Sequence, residues 1–155
     1  MKLRVGGGKF SLYQSSLFPN LCYTLLMDMD KSFTSYELDR IQPQYNQALF
    51  LRDTGRVKDA IKILKNLNKQ YNDKPALIGT LGSLYFNAKD WKNCSEYTLQ
   101  GLKLQPQSEY LSLMLFHSLW HMKKFDDALE EIKRFVAING YSKEYDLILK
   151  EIEGD

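Results

Sequence analysis

Two histidines four residues apart are the first candidates for chemistry in this sequence. His117 and His121 would lie one turn apart on a helix, where two imidazoles can share a metal ion. The residues between them lack the glutamate of the HExxH hydrolase motif, and the chain has only these 2 histidines. We therefore predict neither a metal nor a cofactor, and we interpret the pair as a pH-responsive edge of a binding surface.

The sequence contains no recognisable catalytic nucleophile. Cys22 and Cys94 are far apart, have no neighbouring histidine and do not form a CxxC motif. Gly8-Lys9 fails as a phosphate-binding loop, because the first glycine and the final serine or threonine of that motif are absent. The sequence therefore predicts a protein that is not an enzyme and has no small-molecule substrate.

Length and charge restrict the remaining classes. The chain has 155 residues and a net charge of +2, which fits one domain without the strong field that gathers nucleic acid. Its 2 cysteines are too few for a disulfide scaffold, so a reducing, cytoplasmic compartment is expected. The longest apolar run, residues 17–27, is interrupted by Pro19 and is too short for a membrane span.

The first 28 residues permit several interpretations. Lysine and arginine precede the apolar run, as in a secretory signal, but three glycines interrupt the pattern and no cleavage site follows. A loose extension, or sequence upstream of a start at Met29, fits the segment better. The apolar residues Leu25, Leu26 and Met27 belong either to the core or to a binding groove.

A repeat with a 34-residue period runs from residue 41 onward. Four positions keep this offset: Ala60, Cys94 and Ala128; Val57, Trp91 and Phe125; Leu64, Thr98 and Ile132; Leu51, Tyr85 and Leu119. Each unit contains two apolar-periodic segments of helical length, such as 76–87 and 91–104, joined by a polar turn at 88–90. The period therefore predicts repeated helical hairpins.

The middle unit, residues 75–108, has the most regular pattern. Its marker residues are Leu81, Gly82, Tyr85, Cys94, Gly101 and Pro106. Their order, L-G-x-x-Y followed by two small residues and a proline, resembles the tetratricopeptide repeat family. The resemblance implies an all-α, right-handed superhelical solenoid of antiparallel helix pairs, with three repeats at 41–74, 75–108 and 109–142.

The outer units depart from this pattern. Leu67, Phe116 and Phe135 replace small residues, which is expected to open the local helix angle or the stacking distance. After the third repeat, residues 143–155 are predicted to form a capping helix and tail, with Ser142 as the N-cap.

Residues 1–40 are predicted to be an N-terminal extension. A short helix within it, begun by Asp30 or Ser32, would cap the first repeat with one apolar face. That face consists of Phe33, Tyr36, Leu38 and Ile41.

The family resemblance also implies where a partner binds. In tetratricopeptide repeats a concave groove, lined mainly by the first helix of each repeat, holds a peptide or protein segment. Ten residues at those positions are predicted to contact the partner: Tyr45, Leu49, Arg52, Phe86, Asn87, Tyr110, Leu113, His117, Trp120 and His121. Because most of these ten side chains are aromatic or aliphatic, they favour a partner segment with apolar or aromatic residues. Trp91 and Phe125, which begin the second helices of their repeats, are assigned to packing. The lysines and asparagines with which some co-chaperones of the family grip an acidic carboxyl terminus are absent.

Charge is distributed unevenly along the chain. Residues 52–74 hold a local excess of four positive charges, including a stripe of lysines at Lys58, Lys62, Lys65 and Lys69. Residues 126–155 hold a local excess of five negative charges, and the acids at 126–127 and 130–131 fit a solvated helix face. The basic stripe is most simply a solvated face as well, although RNA or an acidic protein would also fit it.

These observations predict a non-enzymatic adaptor for protein–protein interaction. Client-cradling chaperones of bacterial secretion systems are similar to it in size and layout. Two alternatives remain open: a small inhibitor or immunity protein that masks a toxin or enzyme with its acidic end, and a structural subunit of a larger assembly. The sequence does not fix the oligomeric state.

Overall fold

The computed structural model describes residues 33–154, which form seven α-helices and no β-strand. The helices are α1 (Ser35–Asp53), α2 (Val57–Gln70), α3 (Pro75–Asn87), α4 (Trp91–Leu104), α5 (Glu109–His121), α6 (Phe125–Asn139) and α7 (Lys143–Glu153). The predicted all-α class is therefore confirmed. No helix in this part of the chain is both long enough and apolar enough to cross a membrane.

The helix boundaries follow the 34-residue period of the sequence. Helices α2, α4 and α6 begin at residues 57, 91 and 125, and helices α3, α5 and α7 begin at residues 75, 109 and 143. The two helices predicted for the middle unit agree with α3 and α4 to within one residue. The predicted helix after Ser142 is confirmed too, because the Ser142 hydroxyl accepts a hydrogen bond from the Tyr145 backbone N–H at 3.1 Å.

One turn geometry recurs at the same interval. Gly55, Lys89 and Lys123 have φ angles of 81°, 58° and 60° and end α1, α3 and α5 in the left-handed region. Each donates its N–H to the carbonyl three residues earlier, and the next residue donates to the carbonyl five residues earlier. This is the Schellman arrangement, which satisfies the last carbonyls of a helix and reverses the chain.

The first helix corrects the prediction for the N-terminal extension. Asp30 and Ser32 lie outside the described residues, and α1 begins at Ser35, after a capping box between Thr34 and Glu37. It continues through Pro43 into the first hairpin, so no separate short helix exists within residues 33–53. The loss of one hydrogen bond at Pro43 is outweighed by a continuous buried face. That face consists of Ile41, Tyr45, Ala48 and Leu51.

Helices that follow one another pack together from α1 to α6, and α3 also packs against α5. One core cluster extends from α1 to α5, and a second joins α5, α6 and α7. In the second cluster the bulky residues that replace small ones contact the last helix. The ring of Tyr145 lies 6.0 Å from that of Phe116 and 5.4 Å from that of Phe135, measured between centroids. Large rings therefore attach α7 to the preceding hairpin.

Candidate functional site

The residues predicted to bind a partner come from α1, α3 and α5; α3 packs against α5, and a buried hydrogen bond joins α1 to α3. The Tyr45 hydroxyl on α1 is 2.7 Å from the Thr80 hydroxyl on α3. The Phe86 ring on α3 is 6.2 Å from the His117 ring on α5. These contacts place the residues of three sequence-distant segments on neighbouring helices, which we call the α1/α3/α5 surface.

Burial divides the ten predicted residues into three groups. Buried are Tyr45, Phe86, Leu113 and His117; half-buried are Leu49, Arg52, Tyr110 and Trp120; exposed are Asn87 and His121. Tyr45 and Phe86 belong to the first core cluster, and Leu113 belongs to the second. These three side chains therefore contribute to packing, whatever else they do.

An aromatic cluster at the junction of α3, α4 and α5 is the most organised part of this surface. The Trp91 indole is stacked on the His121 imidazole, with centroids 4.2 Å apart and an interplanar angle of 8°. Phe86 meets Trp91 edge-on at 5.2 Å and approaches His117 edge-on as well. Trp91 was assigned to packing, but its packing partner His121, a residue predicted to contact the partner, was not foreseen. Trp91 is the first residue of α4 and His121 is the last residue of α5. The 34-residue alignment alone does not reveal a contact between those two ends.

Trp120 and Arg52 have neighbours of their own. The Trp120 ring meets Phe125 at 4.8 Å and Phe116 at 5.5 Å, so it lies where α5 turns into α6. Arg52 donates from Nε to the Asp53 carboxylate at 2.7 Å. Phe125 thus packs as expected, and Trp120 shares that packing.

The two imidazoles are held in their neutral form. Burial lowers the pKa of His117 to about 4, with a smaller effect from the charge of His121. Burial also lowers the pKa of His121, assisted by the charge of Lys89. Near neutral pH the cluster therefore presents uncharged rings. Among residues 33–154 no group of three or more metal-ligating side chains could hold an ion.

Acid should weaken the fold through His117. Because its pKa falls from 6.5 to about 4 on folding, the unfolded chain takes up a proton in this range while the folded chain does not. Stability is then fully present above pH 6.5 and falls by up to about 3 kcal/mol towards pH 4. Urea unfolding of the full chain across this range measures the slope. H117Q should flatten it, whereas H121Q should keep most of it, and equal slopes in the wild type and H117Q would contradict the assignment.

The acidic residues of α6 correct another prediction. Asp126, Asp127 and Glu130 are exposed as expected, but Glu131 is buried, with 6% of its surface exposed. Its carboxylate accepts a hydrogen bond from Ser112 and two from Arg134, at 2.7 and 2.6 Å. The Tyr145 hydroxyl lies 2.7 Å from that of Ser112, so this polar network joins α5, α6 and α7.

The surroundings of Ser112 and Cys94 determine how reactive the hydroxyl and the thiol are. Ser112 is buried and hydrogen-bonded to a carboxylate and a phenol, without the histidine base that activates a serine. Burial raises the pKa of the Cys94 thiol to about 11, so its reactive thiolate is scarce at neutral pH. Cys94 acts here as a small core residue.

The comparisons with known proteins supply no family. The sequence matches no protein-family model, and no curated protein compared with it is similar enough to count as a relative.

Proposed function

We propose that residues 41–142 form three tetratricopeptide-type repeats arranged as a right-handed superhelical solenoid, capped by α7. The support comes from helix starts that recur every 34 residues and from the same left-handed turn at Gly55, Lys89 and Lys123. One glycine and two lysines adopt the same left-handed turn with the same two hydrogen bonds, which supports a structural period rather than a compositional one.

On this architecture we propose a non-enzymatic binding module whose α1/α3/α5 surface holds an extended segment of another protein. The observation that carries the proposal is the aromatic cluster of Phe86, Trp91, His117 and His121, where an exposed imidazole lies flat on an indole. Of the four rings, the exposed His121 and the half-buried Trp91 are accessible to a partner, while the buried Phe86 and His117 hold them in place. Uncharged rings of this kind bury apolar and aromatic side chains of a partner at a low cost in conformational entropy. The partner segment is therefore expected to carry apolar or aromatic residues.

A client-binding chaperone or adaptor fits this proposal better than an inhibitor with an acidic face. Glu131 is inside the protein, and Glu130 and Asp146 are paired with Lys133 and Lys150 at 2.6 and 3.0 Å. The acidic end consequently offers fewer unpaired carboxylates than the sequence count suggests. A cytoplasmic location is part of the proposal and follows from the cysteine content alone.

Site-specific photo-crosslinking tests the binding surface directly. A benzophenone amino acid at Asn87, which is exposed and directly follows Phe86 of the cluster, should give one discrete protein adduct in native lysate. The same probe at Gln100, exposed on α4, is the matched control and should give none. Ser83 lies one helical turn before Asn87 on the same side of α3 and is half-buried, so in Ser83→Arg a long charged side chain would obstruct an apolar segment there and reduce the adduct about tenfold. An adduct from Gln100 with none from Asn87 would move the site elsewhere.

A further inference from the structure

The first hairpin carries a second concave feature, which we call the basic cleft. It has a volume of about 630 Å³ and is lined by Gln44 and Gln47 of α1, Tyr85 of α3, and a row of α2 residues that includes Lys58, Ile61, Lys62, Lys65, Asn66 and Lys69. None of its ten lining residues is among the ten predicted to contact a partner, and seven of them belong to α2, which contributes nothing to that predicted set. The basic cleft is therefore separate from the α1/α3/α5 surface.

The four lysines of the cleft form one charged row. They are spaced four, three and four residues apart, so they occupy one face of α2 over about 16 Å. All four are exposed, and within residues 33–154 none of them forms an ion pair with a carboxylate.

The carboxylates nearest in sequence to the lysine row form ion pairs with arginines. Asp53 pairs with Arg52 at 2.7 Å, and Asp59 pairs with Arg56 at 2.7 Å. The positive charge of the cleft is consequently not neutralised locally, and an anionic ligand is the chemistry that complements it.

The remaining lining favours a polypeptide over a nucleic acid. Proteins that bind single strands combine basic grooves with open aromatic faces on which bases stack. The ring of the cleft, Tyr85, is 7% exposed and is stacked on Tyr97 with centroids 5.5 Å apart. Tyr85 therefore offers no open face to a base, whereas Gln44, Gln47 and Asn66 supply amide donors and acceptors that suit a peptide backbone.

We propose that the basic cleft binds an extended acidic segment of another protein. Alternate side chains of an extended chain lie about 7 Å apart, close to the 5–6 Å between lysines one helical turn apart, so about five residues span the row. Glutamate or aspartate side chains would meet the lysines, while the backbone meets the three amides. This binding is independent of the α1/α3/α5 surface.

Fluorescence anisotropy with the full chain tests the proposal. The probe is a labelled peptide of about eight residues that alternates glutamate and glycine, compared with a glutamine–glycine peptide and with an oligouridine of equal charge. The wild type should bind the glutamate peptide more tightly than the other two, and this affinity should fall between about 50 and 300 mM salt. Equal or tighter binding of oligouridine, or no binding of the glutamate peptide, overturns the proposal.

Charge-reversed variants locate the contact. K62E/K65E should weaken binding of the glutamate peptide about tenfold, because two attractions become repulsions. K92E/K124E has the same net charge and changes exposed lysines at the beginnings of α4 and α6, so it should bind like the wild type. Equal losses in both variants would mean that net charge, not the cleft, attracts the peptide. Retained crosslinking at Asn87 in K62E/K65E separates this result from the proposed function.

Discussion

Replacement of Gly82 by leucine is expected to destabilise the protein by about 3 kcal/mol, near the top of the range for overpacked cores. A Cβ atom at Gly82 would already lie 3.3 Å from Thr98 Cγ2 and 3.4 Å from Met114 Cε. Leucine adds three more carbons at this junction of α3, α4 and α5. Thr98 has little freedom to yield, because its hydroxyl donates to the carbonyls of Cys94 and Ser95 at 2.9 and 3.0 Å.

G82A is the matched control for this substitution. Its single methyl meets the flexible end of Met114 but also lies 3.3 Å from Thr98 Cγ2, and this tight contact offsets the roughly 1 kcal/mol by which alanine favours a helix over glycine, so the net change should be small. Thermal unfolding followed by circular dichroism should show G82L about 6–12 °C below the wild type. If G82L melts with G82A, then α3 does not approach α4 and α5 as closely as this packing requires.

The periodic features were the predictable ones. Equal spacing of Val57, Trp91 and Phe125 fixed the starts of three helices, because an apolar residue after a polar turn must enter the core. The small residues of the middle unit marked a close helix approach for the same local reason. The spacing of these residues is a property of one hairpin, which a single sequence contains in full, whereas the contact of Gly82 with Met114 also involves the next hairpin.

The start of α1 was also readable but was missed. Thr34 and Glu37 form the T-x-x-E pattern of a capping box, a stronger local signal than the more distant Asp30 or Ser32. Pro43 does not end this helix, because the residues on both sides of it share one buried face.

Contacts between distant segments could not be predicted from the sequence. Glu131 resembles its exposed neighbours in type and spacing, and only the arrival of Ser112 and Tyr145 from other helices makes its position internal. The stacking of Trp91 on His121 likewise depends on how α4 and α5 meet. The sequence thus predicted which helix positions form the candidate surface. It did not predict which of those side chains are buried, or the aromatic cluster at the junction of α3, α4 and α5.

Removal of the countercharge of Glu131 is expected to be as damaging as overpacking. In R134M the buried carboxylate loses both guanidinium hydrogen bonds, and the Arg134 bond to the Pro106 carbonyl at 2.9 Å is lost too. Stranding a buried charge costs about 3–5 kcal/mol, and the lower value applies here because 32% of the Arg134 side chain is exposed. Urea unfolding measures this loss.

Lys133 offers a control one residue away. It pairs with Glu130 at the same three-residue spacing, but both side chains are 70% exposed, so K133M should cost less than about 1 kcal/mol. The double variant E131M/R134M then isolates the cause. It removes both charges while Ser112 and Tyr145 keep their 2.7 Å hydrogen bond to each other, so it should be more stable than R134M alone. The interpretation is wrong if R134M is no less stable than K133M. It is also wrong if E131M/R134M loses as much stability as the two single substitutions lose together, because the two charges would then not depend on each other.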